Sequence, residues 1–473
     1  MLFSSLTFLY FFLPAVLVLY FLVLLLCGGR SIRPANLVLL LASLVFYAWG
    51  EPVYVFLMAG QTFAAWLFGL IIERFRGARA GKTAFALSCA LTLSGLLFFK
   101  YSDFFLSNFA ALTSSPIRLL GLALPLGISF YSFQILSYTI DLYRGKTAVQ
   151  RDFFAFAAYV MLFPQLVAGP IVRYADVAAE LGGRKHDWAG FSAGARRFVL
   201  GLGKKVLLAN VLGELVAAYH GSAEQSLLFA WLYAVAYALH IYFDFSGYSD
   251  MAIGLGAIFG FHFLENFDYP LVSRSITEFW RRWHISLSSW LRDYVYIPLG
   301  GNRVALGRWI LNTLAVWMLT GFWHGAGWNF ILWGLYFGLL LLAEKFFVGR
   351  LIEKLPRFFG HFYALFIVSL SWMLFDAQGL GESFAGFTVL LGFGARALAG
   401  PESLYALRNY ALPLLIGAVG CTPYPRLWAQ RLQKSRLAPA MPFLEGAFIA
   451  ALLLLVTAYL VDGSFNPFIY FRF

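Results

Sequence analysis

Two histidines, His284 and His324, are the residues best suited to chemistry, since each lies in an aromatic-rich segment. His324 stands between Gly321 and Gly325 in the apolar stretch WILNTLAVWMLTGFWHGAGWNFILWG, about 15 residues from its start. Since a helix rises about 1.5 Å per residue, His324 lies part-way through a bilayer about 30 Å thick. An ionisable side chain at that depth is costly and predicts a functional site. The glycines leave room for backbone or substrate to approach the ring.

A single buried imidazole could serve as a general base, a proton relay in a transporter or a metal ligand. A neutral imidazole, with an unperturbed pKa of about 6.5, could take the proton of a hydroxyl that attacks an acyl group. Metal ligation has little support, because the sequence has no HExxH or CxxC motif and no second His and Asp set near His324. The structural alternative is a core histidine with satisfied hydrogen bonds.

The segment 275–298 predicts one amphipathic helix on the inner membrane surface. It opens with a capping-box pattern, Ser275 to Glu278. Apolar residues then follow at helical spacing on a stripe about 120° wide, with arginines on the other face. His284 projects from the edge of that stripe, so a structural histidine at a packing boundary and a catalytic one are both open.

The predicted substrate-binding residues are neighbours of the two histidines, and no metal site is predicted. They are Trp323, Trp328 and Asn329 around His324, with Trp280 and Arg281 beside His284.

The composition is that of a membrane protein, with 61% hydrophobic and 12% charged residues among 473 and a mean hydropathy of +0.75. Apolar runs of spanning length recur from end to end. They predict an all-α polytopic membrane protein with about 10–12 transmembrane helices, re-entrant hairpins and inner-surface amphipathic helices. The first 27 residues lack a basic n-region and an evident cleavage site, which predicts a retained first span.

Basic residues are unequally divided between the loops, and this division predicts the orientation. The formal charge of +12 fits the positive-inside rule better than nucleic-acid binding. The prediction places three parts on the outer side of the membrane, namely the N-terminus, the loop 376–407 and the C-terminus. It also assumes that two segments, 152–170 and 309–343, enter the membrane and return to the same side. The basic residues then left on or near the outer side are Lys100, Arg118, Arg396, Arg408 and Arg472. This predicts an inner-membrane protein with both termini on the outer side of the membrane.

The chain is predicted to form a single membrane domain over residues 1–473. Pro125 predicts a kink in a span at about 117–140. Asp244 and Asp250 in YFDFSGYSD could serve function, or could cap helices and pair with arginines. The other defined parts are amphipathic helices at 190–206 and 275–298, the hairpin 309–343 that carries His324, and an extracytoplasmic loop at 376–407.

Segments distributed over nearly the whole chain carry a resemblance to a known family. They are MLFSSLTFLYFFLP, LPLGISFYSFQILSYTIDLYRG, FPQLVAGPIVRY, YFDFSGYSDMAIGLGAIFGF, NFDYPLVSRSITEFWRRWHISLSSWLRDYVYIPLGGNR, TGFWHGAGWNFILWG and NPFIYFRF. Together they resemble the membrane-bound O-acyltransferase (MBOAT) family, and within it the bacterial branch of alginate O-acetyltransferase membrane subunits.

The resemblance implies that His324, in the FWHG position, is the catalytic histidine. It implies that His284, in RRWHISLS, is the second histidine, on the inner side of a path through a central tunnel. An acetyl group from a cytoplasmic thioester, acetyl-CoA or a related donor, would cross the membrane. An extracytoplasmic partner of the SGNH-hydrolase type would then acetylate an exported polysaccharide. The expected contacts are thus the lipid bilayer, the thioester, that partner and the polysaccharide, with no tightly bound cofactor and no nucleic acid.

Three alternatives to this function remain. A transporter with His324 as a proton or ligand site would commonly contain internal repeats, and the sequence shows none that is convincing. A scaffold that docks an outer partner would not need an intact acyl-transfer site. Within the enzyme class, the alternatives are peptidoglycan O-acetylation and D-alanylation of teichoic acids. The length, the N-terminal stretch and the tail PFIYFRF favour the alginate-like branch over the D-alanyl one.

Overall fold

The computed structural model describes residues 1–28, 31–377 and 379–463. These residues form helices joined by connections, and the only extended pairing among them is an isolated parallel bridge between Ser226 and Ala397. The predicted all-α fold is therefore confirmed. The chain divides into two compact units, Met1–Phe198 with Ser249–Leu264, and Val199–Tyr248 with Glu265–Phe473.

The first unit contains eight complete helices and a π-helical turn at Phe8–Phe12. The helices are α1 (Leu13–Leu26), α2 (Arg33–Ala48), α3 (Tyr54–Arg74), α4 (Arg79–Thr113), α5 (Ile128–Tyr143), α6 (Phe153–Met161), α7 (Phe163–Leu166) and α8 (Tyr174–Gly182). Two helices have one part in each unit, and they are α9 (Trp188–Gly203) and α11 (Leu227–Ile258).

The second unit contains both candidate histidines. Its helices are α10 (Val211–Gly221), α12 (Ile276–Arg282), α13 (Ile285–Leu291), α14 (Leu306–His324), α15 (Trp328–Ala343), α16 (Gly349–Lys354), α17 (Arg357–Asp376), α18 (Leu380–Leu390), α19 (Pro401–Gly420), α20 (Tyr424–Gln433) and α21 (Met441–Val461). Shorter elements are the π-helical segments Lys204–Asn210, Arg292–Tyr296 and Glu344–Val348 and the 3-10 turns Pro270–Val272 and Ala438–Ala440.

Among the described helices, 7 are long and apolar enough to cross a membrane. An eighth candidate is the pair α19 and α20, which is bent by 68°. The polytopic membrane class is confirmed, but the count is below the expected number of about 10–12. The difference arises because several apolar runs fold as shorter helices. For example, α2 and α5 have 16 residues each, which extend about 24 Å against a hydrocarbon core of about 30 Å.

The predicted kink at Pro125 is wrong, because this proline precedes a helix instead of lying inside one. Helix α5 starts only at Ile128, after Gly127 adopts a left-handed conformation with φ +72°. A side chain at Gly127 would overlap the carbonyl of Leu166. The next segment, 152–170, forms α6 and α7, and the 9 residues of α6 extend only about 14 Å. These lengths agree with the predicted re-entrant hairpin.

The predicted single helix over 275–298 is also wrong. The chain breaks at His284, which separates α12 from α13 and has φ +44° and ψ +54°. The predicted start is confirmed, since the Ser275 hydroxyl accepts a hydrogen bond from the Glu278 N–H at 3.0 Å. The left-handed backbone at His284 changes the direction of the chain, and the imidazole is buried instead of lying at the edge of a surface stripe.

The predicted loop 376–407 is partly helical, because it contains α18 and the first turns of α19. The Glu224 carboxylate accepts hydrogen bonds from the N–H groups of Glu402 and Ser403, at 2.8 and 3.2 Å, and so caps α19. The side of the membrane on which this segment lies stays a prediction. The tail NPFIYFRF, with Arg472 and the C-terminus, lies outside the described residues.

The predicted surface helix 190–206 places one of its lysines in the interior. Helix α9 continues into the π-helical segment, where Lys205 is 2% exposed. Its ammonium lies 2.5 Å from a carboxylate oxygen of Asp244, which is 1% exposed. The other carboxylate of YFDFSGYSD, on Asp250, pairs with Arg197 at 2.8 Å. Asp250 thus pairs with an arginine, one of the alternatives left open, whereas Asp244 pairs with a lysine.

Helices α14 and α15 form the predicted hairpin of 309–343, and their backbones are in direct contact. A Cβ atom at Gly321 would overlap the carbonyl of Phe330, and one at Gly334 would overlap the carbonyl of Trp317. The glycines therefore let one helix approach the other, which fixes the position of the residue that ends α14, His324.

We expect Gly334→Ala to destabilise the protein, because overpacking of this kind costs about 1–3 kcal/mol. Gly307→Ala in α14 is the matched control, since a Cβ there meets nothing within 4 Å. Thermal unfolding of the purified protein in detergent measures both. The Tm should fall only for Gly334→Ala, and an unchanged Tm would contradict the close packing.

Asp244→Asn should be strongly destabilising, because it removes the carboxylate that neutralises the buried Lys205. Breaking a buried ion pair typically costs about 3–5 kcal/mol. Glu73→Gln is the control, since it removes an exposed pair with Arg151 at 3.5 Å that we expect to contribute only about 0–1 kcal/mol. Urea unfolding in detergent tests this. The expectation fails if the two variants lose the same stability.

Candidate active site

His324 is the last residue of α14 and is 6% exposed. Its ring lies among three aromatic rings, with centroid distances of 4.9 Å to Trp323, 5.1 Å to Trp333 and 5.5 Å to Phe375. The turn that follows is tight, because a Cβ at Gly325 would overlap the ring of Phe330. The imidazole thus lies in an aromatic environment, where electrostatic interactions are stronger than in water.

His284 is 1% exposed and lies in the break between α12 and α13, neither of which is long enough to span a membrane. Its Nδ1 atom lies 3.1 Å from the amide oxygen of Asn266. The ring meets Phe245 edge-on at 4.6 Å. Its Nε2 atom is buried and has no hydrogen-bond partner in the part of the protein that the structure describes.

Trp323 brings the two histidines into one site. The centroid of its ring lies 6.2 Å from that of His284 and 4.9 Å from that of His324. Burial holds the pKa of the His284 imidazole well below its usual range, and the neighbouring His324 lowers that pKa further. His284 is therefore neutral at physiological pH. Two residues separated by 40 positions in the sequence thus interact electrostatically in the folded chain.

Asn266 is a site residue that the sequence did not single out. Its amide oxygen accepts hydrogen bonds from the hydroxyl and the backbone N–H of Ser286, at 2.8 and 3.3 Å. Its carbonyl accepts one from the Ile285 N–H at 3.0 Å. The only available signal was its position at the start of the segment NFDYPLVSRS. Its contacts hold the broken backbone on both sides of His284.

Glu344 is a second residue that sequence reasoning missed. It follows α15, where the sequence suggested only the end of the hairpin, yet its side chain is buried. Its carboxylate accepts hydrogen bonds from the Ile276 N–H at 2.5 Å and the Thr277 N–H and hydroxyl at 2.8 and 2.6 Å. It thereby caps α12 and ties that helix to the α14–α15 hairpin.

A cavity of about 980 Å³ extends along α14. Its lining includes both Leu306 and Thr320, which are separated by about 21 Å of helix. Thr320 lies one helical turn before His324. Near the other end, the ring of Trp309 packs against Phe346 at 5.7 Å, so the residues that follow α15 lie beside the start of α14. The cavity therefore leads towards the turn of α14 that carries His324.

Three cations, Arg281, Lys345 and Arg350, line this cavity and also an adjoining groove of about 800 Å³. The groove adds the cations Arg274 and Arg357 and the carboxylates of Glu344 and Glu353, so cations remain in excess. Such a cluster attracts phosphate and carboxylate groups.

Two of the predicted substrate-binding residues, Trp280 and Arg281, line the cavity. The Trp280 indole packs against Trp317 at 4.6 Å and against Trp333 at 5.7 Å, and Trp333 in turn contacts His324. A continuous set of indole rings thus connects the cavity wall with the histidine. Whether either residue binds substrate stays a prediction.

The other predicted binding residues differ in their environment. Trp323 is buried between the two histidines, whereas Trp328, at the start of α15, is 54% exposed. The Asn329 amide donates a hydrogen bond to the Ala377 carbonyl at 2.9 Å. This contact ties α15 to the end of α17, so Asn329 has a structural function whether or not it binds substrate.

The described residues contain no group of three or more His, Cys, Asp or Glu side chains that could hold a metal ion. The chemistry that these side chains themselves provide is proton transfer and hydrogen bonding by two imidazoles next to a cavity with a cationic lining.

Comparisons with known proteins identify the family of this chain. The family model for membrane-bound O-acyltransferases (MBOAT) matches residues 147–380, which include both histidines. A probable alginate O-acetylase, AlgI, of Azotobacter vinelandii is 37% identical over 510 aligned residues that cover both chains completely. The corresponding protein of Pseudomonas syringae pv. tomato is 43% identical over 83% of this chain and 76% of the relative.

A more distant relative acts on a different polymer. A peptidoglycan O-acetyltransferase of Helicobacter pylori is 32% identical over 84% of this chain and 81% of that protein. Both histidines lie within the residues matched by the family model, and the similarity to the Azotobacter protein extends over the whole chain. The chain therefore belongs to the membrane-bound O-acyltransferase family and is a multi-pass membrane O-acyltransferase.

Proposed function

We propose that this protein takes an acetyl group from a cytoplasmic thioester, acetyl-CoA, and passes it across the bacterial inner membrane. The group would serve O-acetylation of an exported polysaccharide such as alginate, through a periplasmic partner of the SGNH-hydrolase type. The observation that carries the proposal is the cavity that extends from Leu306 to Thr320, one turn before His324. The similarity to probable alginate O-acetylases, over the full length in one case and over 83% of this chain in the other, supports the choice of acetyl group and acceptor.

The cavity fits a donor with a charged head and a slender arm. Arg281, Lys345 and Arg350 provide the charge that would bind the phosphate groups of coenzyme A. The apolar part of the lining, which includes Trp280 and Trp317, suits an arm that ends in the thioester. Its volume of about 980 Å³ is at the upper end of the usual range for small-molecule sites, about 300–1,000 Å³.

In the proposed reaction, a hydroxyl group of the recipient attacks the thioester carbonyl. The new C–O bond forms while the C–S bond breaks. A ring nitrogen of His324 takes the hydroxyl proton and returns it to the departing thiolate. Both reactants would bind next to one buried imidazole. Binding would therefore supply most of the orientation that the reaction requires.

The membrane orientation is part of the proposal. The excess of basic residues in short loops favours a cytoplasmic location for the side that carries Arg281, Lys345 and Arg350. Both termini would then lie in the periplasm. The donor would enter from the side where acetyl-CoA is made, and the hydroxyl would approach from the opposite side.

We expect His324→Ala to lower acetyl transfer by about 10²–10⁴-fold, because the reaction loses its general base. The assay uses protein in nanodiscs with radiolabelled acetyl-CoA, alginate and the purified SGNH-type partner. His262→Ala is the matched control, since this histidine is exposed and pairs with Glu180 at 2.6 Å in the first unit. Near-normal transfer by His324→Ala would rule out its catalytic role. Failure of the wild type to consume acetyl-CoA would contradict the proposed donor.

Arg350→Ala tests the binding of the donor's charged head. It should raise the KM for acetyl-CoA by about tenfold, the effect of losing about 1.4 kcal/mol, and leave kcat nearly unchanged. With the acetyl thioester of N-acetylcysteamine, which has no phosphate, the same variant should behave as the wild type. Arg431→Ala, in exposed α20, is the matched control. An equal rise in KM for both thioesters would argue against phosphate binding at this position.

A further inference from the structure

The contacts of Asn266 determine which end of its amide faces His284. Its Oδ1 atom lies 3.3 Å from the backbone nitrogen of Ser286, and a backbone N–H group can only donate a hydrogen bond. The atom that faces it must therefore be the amide oxygen and not the amide nitrogen. The hydroxyl of Ser286, 2.8 Å from the same atom, adds a second donor.

The same oxygen determines the tautomer of His284. It lies 3.1 Å from Nδ1 of the imidazole, and an oxygen without a hydrogen can only accept. The Ser286 hydroxyl also lies 3.4 Å from Nδ1, but its single proton goes to the nearer Asn266 oxygen at 2.8 Å. The proton of the neutral ring is therefore on Nδ1, and Nε2 carries a lone pair. Nε2 is buried without a hydrogen-bond partner among the described residues. A buried acceptor without a donor is costly, unless a ligand supplies one.

We propose that Asn266 is a positioning residue that holds His284 as the Nδ1–H tautomer, so that Nε2 accepts a hydrogen bond from an O–H or N–H group of a substrate. This inference rests on the proposed acyl transfer and assigns a role to the second histidine. In this tautomer His284 cannot supply the proton that the departing thiolate needs. That proton comes from the acceptor hydroxyl by way of His324.

The surroundings of His284 make its protonation state easy to perturb. Phe245 and Trp323 contact the ring, at 4.6 and 6.2 Å between centroids, and both are uncharged. Within the described part of the chain, the titratable group that acts on the ring is His324 on α14. A negative charge introduced at residue 266 would therefore act on His284 with little competition from other charges.

Asn266→Asp keeps an oxygen acceptor but adds a negative charge, which raises the pKa of His284. The imidazolium form, with a proton on Nε2, then persists below that raised pKa, and the lone pair returns above it. We expect acetyl transfer at pH 6 to fall by about tenfold or more and to recover as the pH rises, so the acidic limb of the rate profile moves to higher pH. A merely structural role would lower the rate equally at every pH. Unchanged or increased transfer at low pH would show that Nε2 donates, and either result would overturn the proposal.

The double variant Asn266→Asp with His284→Gln is the control for the pH profile. The double variant lacks the imidazole. The acidic limb of its rate profile should therefore lie at the same pH as that of the single variant His284→Gln. A shift that persists in this background would come from another group and would contradict the assignment.

Nitrogen-15 NMR of histidine-labelled protein in nanodiscs gives a readout without catalysis. His284 is assigned by the signals that disappear in His284→Gln. The wild type should show a protonated Nδ1 and an unprotonated Nε2 at neutral pH, and the opposite tautomer would overturn the inference even if Asn266→Asp did not fold. If the wild type transferred no acetyl group, the proposed function would fail, while this spectrum would still decide the tautomer.

Discussion

The contact between the backbones of α14 and α15 is the constraint on which the rest of the site depends. At Gly321 and Gly334 neither helix has room for a side chain, so the two axes approach as closely as the backbone allows. That contact fixes the position in space of the last turn of α14, and α14 ends at His324. Three aromatic rings surround the imidazole of His324, and a tight turn follows it. The imidazole therefore has little freedom to move. Catalysis by a positioned group benefits from this rigidity, since the orientation is established before the substrate arrives.

The second histidine is held by a different kind of interaction, namely polar contacts between segments that are distant in sequence. The Glu344 carboxylate caps α12, and the Asn266 amide holds the residues that follow the break at His284. Both are hydrogen bonds to buried donors, and the loss of either would leave buried polar groups without partners. Backbone strain at His284, which has a φ of +44°, persists because these contacts fix the conformation. Strained residues held in this way occur often at functional sites.

Positive charge in this protein serves two separate purposes. Arg281, Lys345 and Arg350 line a cavity, where they can attract an anionic donor. Lys205 is instead buried against Asp244 and contributes to the packing of the second unit. A count of basic residues cannot separate the two, because it weighs an accessible arginine and a neutralised lysine equally. The distinction depends on burial and on the presence of a carboxylate within reach.

The sequence by itself determined the features that depend on local composition. Apolar runs showed the membrane class and the hairpin, and the position of His324 about fifteen residues into an apolar stretch made it a candidate site residue. The pattern of 275–298 also gave the correct cap at Ser275 but not the break at His284, since helical periodicity continues through a residue that tertiary contacts turn into a left-handed conformation. Only the tertiary structure decided that Asn266 meets His284, that Glu344 meets Thr277 and that Lys205 is buried. These contacts join residues that are 18, 67 and 39 positions apart, and no local pattern records which distant group will satisfy a buried polar atom.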